Sequence, residues 1–143
     1  MLEEYREKRN FSVTSEPKGG VGGRSGIFVI QEHWASHWHH DFRIERDGVL
    51  KSWAIPKGFP KNDERRLAVP TEDHPLEYAD FEGVIPEGMY GAGTVSIYDR
   101  GKANVKVWEK DKIEFELHGK RVKGLFVMIR TKVGWLIFRK RVK

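Results

Sequence analysis

Asp41-Phe-Arg-Ile-Glu-Arg-Asp-Gly-Val-Leu-Lys-Ser-Trp-Ala-Ile55 decides the fold class. Asp47-Gly48 separates two short runs of strand-forming residues. An Asp-Gly pair supplies the two left-handed positions of a tight hairpin turn, so the runs on either side are read as antiparallel neighbours. Within the first run, period two sends His39, Asp41, Arg43 and Glu45 to one face and Phe42 and Ile44 to the other. One face is chemical and the other apolar.

Similar segments recur along the chain between turn residues: 27–31, 67–69, 94–98, 105–108, 113–117, 125–130 and 135–138. Ile113-Glu-Phe-Glu-Leu117 alternates cleanly between an inward and a solvated side. Helical periodicity is absent apart from a turn expected after Pro75. Many short strands in 143 residues favour a closed barrel, because closure removes exposed sheet edges. The expectation is therefore an all-β chain, a compact antiparallel closed barrel over residues 27–143. Residues 1–26 are read as a flexible N-terminal arm ending in a glycine-rich loop, since Lys18 to Gly26 holds Gly19, Gly20, Gly22, Gly23 and Gly26.

Composition excludes whole classes of chemistry. There is no cysteine, which removes disulfides, thiolate nucleophiles and cysteine-held zinc or iron–sulfur centres. Any metal must rest on His, Asp or Glu. The charged start of the chain lacks the apolar core of a secretion signal, and no apolar run approaches the roughly 20 residues of a membrane span. The reading is an intracellular, cytoplasmic chain with no membrane partner. The net charge is +5, and it is unevenly distributed: no acidic residue follows Leu117, whereas Thr71 to Glu87 carries six carboxylates and no Lys or Arg. Such a distribution suits a polyanionic partner beside a cation site, and equally an ordinary solvated surface.

Two clusters could carry chemistry. In Glu32-His-Trp-Ala-Ser-His-Trp-His-His-Asp-Phe-Arg43, four of the chain's six histidines precede the acidic face of the strand. His33, His39 and Asp41 offer two imidazoles and a carboxylate, a set suited to Mn²⁺ or Zn²⁺, with Arg43 beside them for an oxyanion. The same spacing fits a polar face with surface histidines. In the second cluster, Glu72 and extended His74 before Pro75 share a side of the chain, suited to acid–base work or to a plain acidic loop. Lys57 stands in a Pro-Lys-Gly turn, able to reach a phosphate or simply solvated.

Taken together, Gln31-x-His33-x-Ala35-x-x-x-His39-x-Asp41-Phe42-Arg43, Asp47-Gly-Val-Leu-Lys-Ser-Trp-Ala54, Pro56-Lys-Gly58, Glu72-Asp-His-Pro-Leu-Glu-Tyr-Ala-Asp-Phe-Glu-Gly83, Ile85-Pro-Glu-Gly88 and Tyr90-Gly-Ala-Gly-Thr94 resemble the 3′-phosphoesterase domain of bacterial DNA ligase D. The likeness extends from Tyr5 to Trp135 and, given the chain length, is to the free-standing versions. It implies Mn²⁺ on His33, His39 and Asp41, with other divalent metals such as Zn²⁺ or Co²⁺ able to use the same site. It places Arg43, Lys57, Arg66 and His74 around the scissile phosphate, with Glu72 and Tyr78 in support and Arg9 reaching in from the arm. It further implies removal of a 3′-terminal ribonucleoside and then of the 3′-phosphate, in DNA repair by end joining. Its partners are nucleic acid 3′ ends, with a DNA ligase, a polymerase or a Ku-like protein as associates. Two positions depart from the pattern: His40 replaces the usual aromatic residue, and His37 is additional. The alternatives are a non-catalytic nucleic-acid-binding barrel that uses Trp34, Trp38 and Trp108, and a cupin-like metal oxygenase, for which the second ligand motif is missing.

Overall fold

The computed structural model describes residues 1–19 and 25–141; the middle of the glycine-rich loop lies outside the described residues. The elements run α1 (Glu3–Glu7), β1 (Ile27–Trp34), β2 (Trp38–Arg46), β3 (Val49–Ile55), β4 (Arg65–His74), a 3₁₀ turn (Leu76–Asp80), β5 (Gly83–Ile85), β6 (Gly93–Trp108), β7 (Lys112–His118), β8 (Lys123–Thr131) and β9 (Gly134–Arg139). Strands pair in the order β1-β2-β3-β4-β9-β8-β7-β6, all antiparallel, and the β1–β6 pairing closes the eight into a barrel. β5 adds to the start of β6. The all-β closed barrel read from the sequence is the observed fold.

Alternation builds it. Phe28 and Ile30 of β1, Phe42 and Ile44 of β2, and Trp53 and Ile55 of β3 join Phe115, Phe126, Met128 and Ile137 in the interior. Phe42 lies 5.3 Å from Phe115 and 5.5 Å from Phe59, ring centre to ring centre. At this strand number the interior is wide enough for side chains to fill, and here they fill it. His40 also belongs to this inward side: its Nδ1 accepts the Phe59 N–H at 2.8 Å, and burial lowers its pKa to about 4. The hairpin turn has Asp47 and Gly48 both at positive φ, 56° and 83°, as its Asp-Gly sequence requires.

The two strands expected at 94–98 and 105–108 are one strand. Asp99-Arg-Gly-Lys102 reads as a turn, yet it runs through β6, which is bent by register shifts opposite Ile30/Gln31 and between Val105 and Val107. Gly101 is required there, because a Cβ would lie 2.1 Å from the His118 carbonyl oxygen. The Asp99 carboxylate accepts the N–H groups of Arg100, Lys120, Arg121 and Val122 at 2.7–2.9 Å, tying β6 to the β7–β8 turn.

Helix α1 was not legible as periodicity. It seats the arm on the barrel through Tyr5, which is fully buried in a second cluster with Val29, Leu50, Leu76, Tyr78 and Phe81. This cluster covers the outer face of β1 and β3, so the described arm is packed rather than loose. Among the described residues no helix is long and apolar enough to cross a membrane.

Asp99→Ala strands four backbone donors and should lower stability by about 2–4 kcal/mol. Burial alone would raise the Asp99 carboxyl, but its backbone hydrogen bonds hold it below the ordinary value. Its contribution is therefore present above roughly pH 4 and lost as the pH falls through the folded value. Urea unfolding across the acid range measures both effects. An Asp99→Ala protein as stable as the parent would refute the assignment.

Candidate metal and phosphate site

The site lies on the outer face of the barrel. β1 and β2 pair with His33 opposite His39 and Gln31 opposite Asp41, so the residues alternating with the apolar core converge outside. Asp41 Oδ2 is 3.4 Å from His33 Nδ1, and Asp41 Oδ1 is 3.1 Å from His39 Nε2. One ligand atom from each of the three lies within 4.8 Å of the others. The remaining ring nitrogens are already engaged: His33 Nε2 donates to the Gly91 carbonyl at 2.8 Å and His39 Nδ1 to the His37 carbonyl at 3.3 Å. A carbonyl can only accept, so a neutral imidazole keeps its proton on that side and has a lone pair free for a cation beside Asp41; without a cation, a proton on the facing nitrogen donates to Asp41 instead. Histidines that bind metal are oriented by this arrangement, and the donor set fits a divalent cation of the Mn²⁺ or Zn²⁺ kind. His37 is exposed and contributes only its backbone.

Arg43 adjoins the triad. Its Nη2 is 3.4 Å from Asp41, and its Nε donates at 2.8 Å to Gln31 Oε1. Gln31 is itself fixed by donating to the Tyr78 and Phe81 carbonyls. His74 reaches the same face through a bulge in β4. Ser52 pairs with Thr71 but Leu50 with His74, so β4 carries an extra residue and switches face. His74 Nδ1 lies 2.9 Å from the Glu72 carbonyl, nearer than Arg43 Nη1 at 3.2 Å or Ser52 Oγ at 3.4 Å. The carbonyl assigns the proton to Nδ1 and leaves Nε2 as the acceptor.

The arm completes the wall. Arg9 Nε donates to Glu16 at 3.0 Å, Arg9 Nη1 to the Tyr5 carbonyl at 2.9 Å, and its guanidinium reaches Glu72 at 3.3 Å. Glu16 also accepts the Tyr78 hydroxyl at 2.7 Å. Lys8 bonds Glu72 at 3.1 Å and lies over the Tyr90 ring. The cleft enclosed by these groups has a volume of about 340 Å³.

Charge states follow from this packing. Burial would raise the Asp41 carboxyl, but Arg43 and the bonds from His33 and His39 outweigh it and hold Asp41 ionised well below the usual range. The Asp41 bond raises His39 above the ordinary imidazole value. Burial, with Arg43 and Arg9 nearby, pushes His74 well below it, so His74 is neutral. For Glu72, burial is outweighed by Lys8, by its own backbone and by Arg9, which lower it.

Of the ten residues singled out from the sequence, eight line this cleft: Arg9, His33, His39, Asp41, Arg43, Glu72, His74 and Tyr78. Lys57 and Arg66 do not. They line a separate cleft at the end of the barrel with Trp38 and His40. Arg66 precedes the bulge and shares the inward side of Ala68, and its Nη2 donates to Glu64 at 2.6 Å. Sequence reasoning missed the supporting roles of Gln31, Ser52, Glu16 and Lys8. Gln31 was visible in the motif at the alternation step before His33; Glu16 carried no signal in its spacing.

A family model for the DNA ligase D 3′-phosphoesterase domain matches residues 31–130, which span both clusters. The chain belongs to that family. A Mycobacterium bovis protein named multifunctional non-homologous end joining protein LigD is 48% identical over 147 residues, covering 96% of this chain and 19% of the relative. The LigD proteins of Pseudomonas aeruginosa and Mycolicibacterium smegmatis are 46% and 44% identical, with 91% and 96% of this chain covered and 17% and 20% of the relatives. The chain thus spans about a fifth of the length of the curated relatives it matches.

In this phosphoesterase domain the arm depends on Tyr5, whose ring lies 5.0 Å from His74 and 5.9 Å from Tyr78. Tyr5→Ala should cost about 3–5 kcal/mol of arm docking. Limited proteolysis should then cleave within residues 1–18 while leaving the barrel intact. An unchanged digestion pattern would show that Tyr5 does not anchor the arm.

Proposed function

We propose that the chain is a Mn²⁺-dependent 3′-end-healing phosphoesterase. It removes a 3′-terminal ribonucleoside as a diesterase and then releases the 3′-phosphate to leave a 3′-hydroxyl. The observation that carries this reading is the meeting of the His33–His39–Asp41 triad with Arg43 and His74 in one outer-face cleft. Membership of a phosphoesterase family gives that meeting its chemistry.

His33 Nδ1, His39 Nε2 and the Asp41 carboxylate would hold the cation, with Zn²⁺ or Co²⁺ as substitutes. When bound, it supplies a Lewis acid that neutralises charge growing on a phosphoryl oxygen. The protein's own groups do the rest. Arg43, kept in place by Gln31, faces a second non-bridging oxygen, and a preorganised cation stabilises charge at no reorganisation cost. Arg9 sits on the opposite wall, restrained by Glu16 and Glu72. His74 is neutral at rest because burial, reinforced by Arg43 and Arg9, opposes its protonation. A phosphate dianion in the cleft offsets those charges and raises its proton affinity. Nε2 then takes a proton from solvent in the cleft and gives it to the leaving oxygen as that P–O bond breaks, while a water forms the new P–O bond and returns its own proton to solvent. Tyr78 packs 4.6 Å from His74 and 4.8 Å from Arg43, holding both planes.

The substrates are nucleic acid 3′ ends ending in a ribonucleotide or a phosphate, and the setting is cytoplasmic DNA repair by end joining. The names of the relatives support that setting, and a ligase, polymerase or Ku-like partner fits it.

Labelled primer–templates with a 3′-phosphate, a 3′-ribonucleotide or an all-deoxy 3′-hydroxyl end, with and without Mn²⁺, provide the test. Phosphate release and ribonucleoside removal should require Mn²⁺, and the all-deoxy primer should persist. His39→Ala and Asp41→Ala should abolish turnover while the protein stays folded, and His74→Ala should lower it about 10²–10⁴-fold. Binding without turnover would make the chain a nucleic-acid-binding barrel, and cleavage within an all-deoxy duplex would make it a general nuclease. Because Asp41 raises His39, protons compete with the metal, and Mn²⁺ affinity should fall steadily from about pH 8 to about pH 6. A pH-independent affinity would contradict the His39 ligand.

A further inference from the structure

The tip of the β1–β2 hairpin carries two tryptophans that the catalytic cleft does not use. Trp34 follows His33, Trp38 precedes His39, and the two are paired across the hairpin one step beyond the histidine pair. That step is about 3.3 Å and reverses the face. The histidines therefore look into the outer cleft while the tryptophans look towards the end of the barrel. Their rings are 6.2 Å apart, and Trp34 is 54% exposed, an unusual state for so large an apolar side chain. Trp38 is held by donating to Glu32 at 3.2 Å and lines the end cleft that also contains Lys57, Lys61 and Arg66. That cleft shares Phe59, Lys61 and Tyr98 with a neighbour that adds Arg121 and Arg139. Arg121 lies over the Tyr98 ring, 4.7 Å from its centre. Across the two clefts five cations face two carboxylates, Glu32 and Glu64. An exposed aromatic step leading onto a cationic band matches one ligand chemistry: bases that stack and phosphates that pair.

We propose that Trp34 and Trp38 form a stacking platform at the rim of the active site, over which the substrate strand leaves the metal cleft and runs onto the basic end of the barrel. This rests on the proposed action at 3′ ends and names where the rest of the strand lies. The scissile phosphate, with the terminal ribonucleoside beyond it where one is present, enters the outer cleft. A base near the terminus stacks on Trp34. The phosphates behind it meet Lys61 and Arg121, with Lys57 and Arg66 nearer the rim. The assignment also accounts for two cations of the family pattern that stand outside the metal cleft.

Trp34→Ala and the double variant Lys61→Glu/Arg121→Glu test it, with folding checked by circular dichroism. Binding is measured by anisotropy on a fluorescein-labelled 3′-phosphorylated primer–template in chelator, and turnover with Mn²⁺ on that substrate and on a 3′-phosphorylated dinucleotide. Each variant should bind the primer–template about tenfold more weakly and raise its KM by a similar factor, while turnover of the dinucleotide stays at the parent's value. The charge-reversed protein should also show a log K against log salt slope shallower by about two, near 0.9 per lost phosphate contact. Tryptophan fluorescence, quenched by the strand in the parent, should lose much of that quenching in Trp34→Ala. Parent-like affinity in both variants, or an equal loss of dinucleotide turnover, would overturn the track. If the parent hydrolysed neither substrate, the catalytic reading would fail, and the binding arms would still decide the platform by themselves.

Discussion

Strand β2 must satisfy two surfaces at once, and the rest of the molecule is arranged around that constraint. Phe42 and Ile44 are fully buried in the barrel interior, while His39, Asp41 and Arg43 stand between and beside them on the outer face. The interior contacts fix the strand's position and pleat. The outer groups therefore need no loop to place them, and a site on a rigid element is held more precisely than one on a loop. Asp41 is the residue at which the electrostatics meet: a buried carboxylate surrounded by two imidazoles and a guanidinium. Removing Arg43 would leave that carboxylate's charge poorly compensated in a dry place.

An outer-face site on a barrel would ordinarily be open to solvent. Here the arm, the 3₁₀ turn and the β5–β6 loop form a second layer whose own small core, around Tyr5, Leu50, Tyr78 and Phe81, is built on the back of the strands. Burial of His74, Glu72 and Tyr78 follows from that layer, and with it the depressed imidazole; the carboxylates stay ionised against burial because Arg43 and the histidine bonds outweigh it at Asp41, and Lys8, its own backbone and Arg9 at Glu72. Arg9 and Glu16 belong to the arm, so docking of the arm and completion of the site are one event.

The parts of this arrangement governed by local alternation were legible in the sequence. Phe42 and Ile44 inward with Asp41 and Arg43 outward needs only period two, and the Asp47-Gly48 turn needs only its two left-handed residues. What was not legible depends on departures from regularity or on distant partners. The bulge between Thr71 and His74 changes which side β4 presents, so Arg66 and His74 part company although a regular strand would unite them. β6 passes through a stretch that looks like a turn, because Asp99 is occupied in capping the β7–β8 turn rather than starting its own. The arm looked loose because it ends in a run of glycines, whereas Tyr5 is held by Leu50 and Tyr78, far along the chain. Family resemblance brought Arg9 to the site when spacing could not.

If His33, His39 and Asp41 hold a cation together, they should form a single site. Electron paramagnetic resonance of the chain titrated with Mn²⁺, with resolved couplings to ligand nitrogen, addresses it most directly. The expected result is one tightly bound ion coupled to two imidazole nitrogens, with one coupling lost in His33→Ala, the other in His39→Ala, and tight binding lost in Asp41→Ala. A bound ion whose spectrum is the same in the parent and in all three variants would place the metal elsewhere and exclude these three ligands.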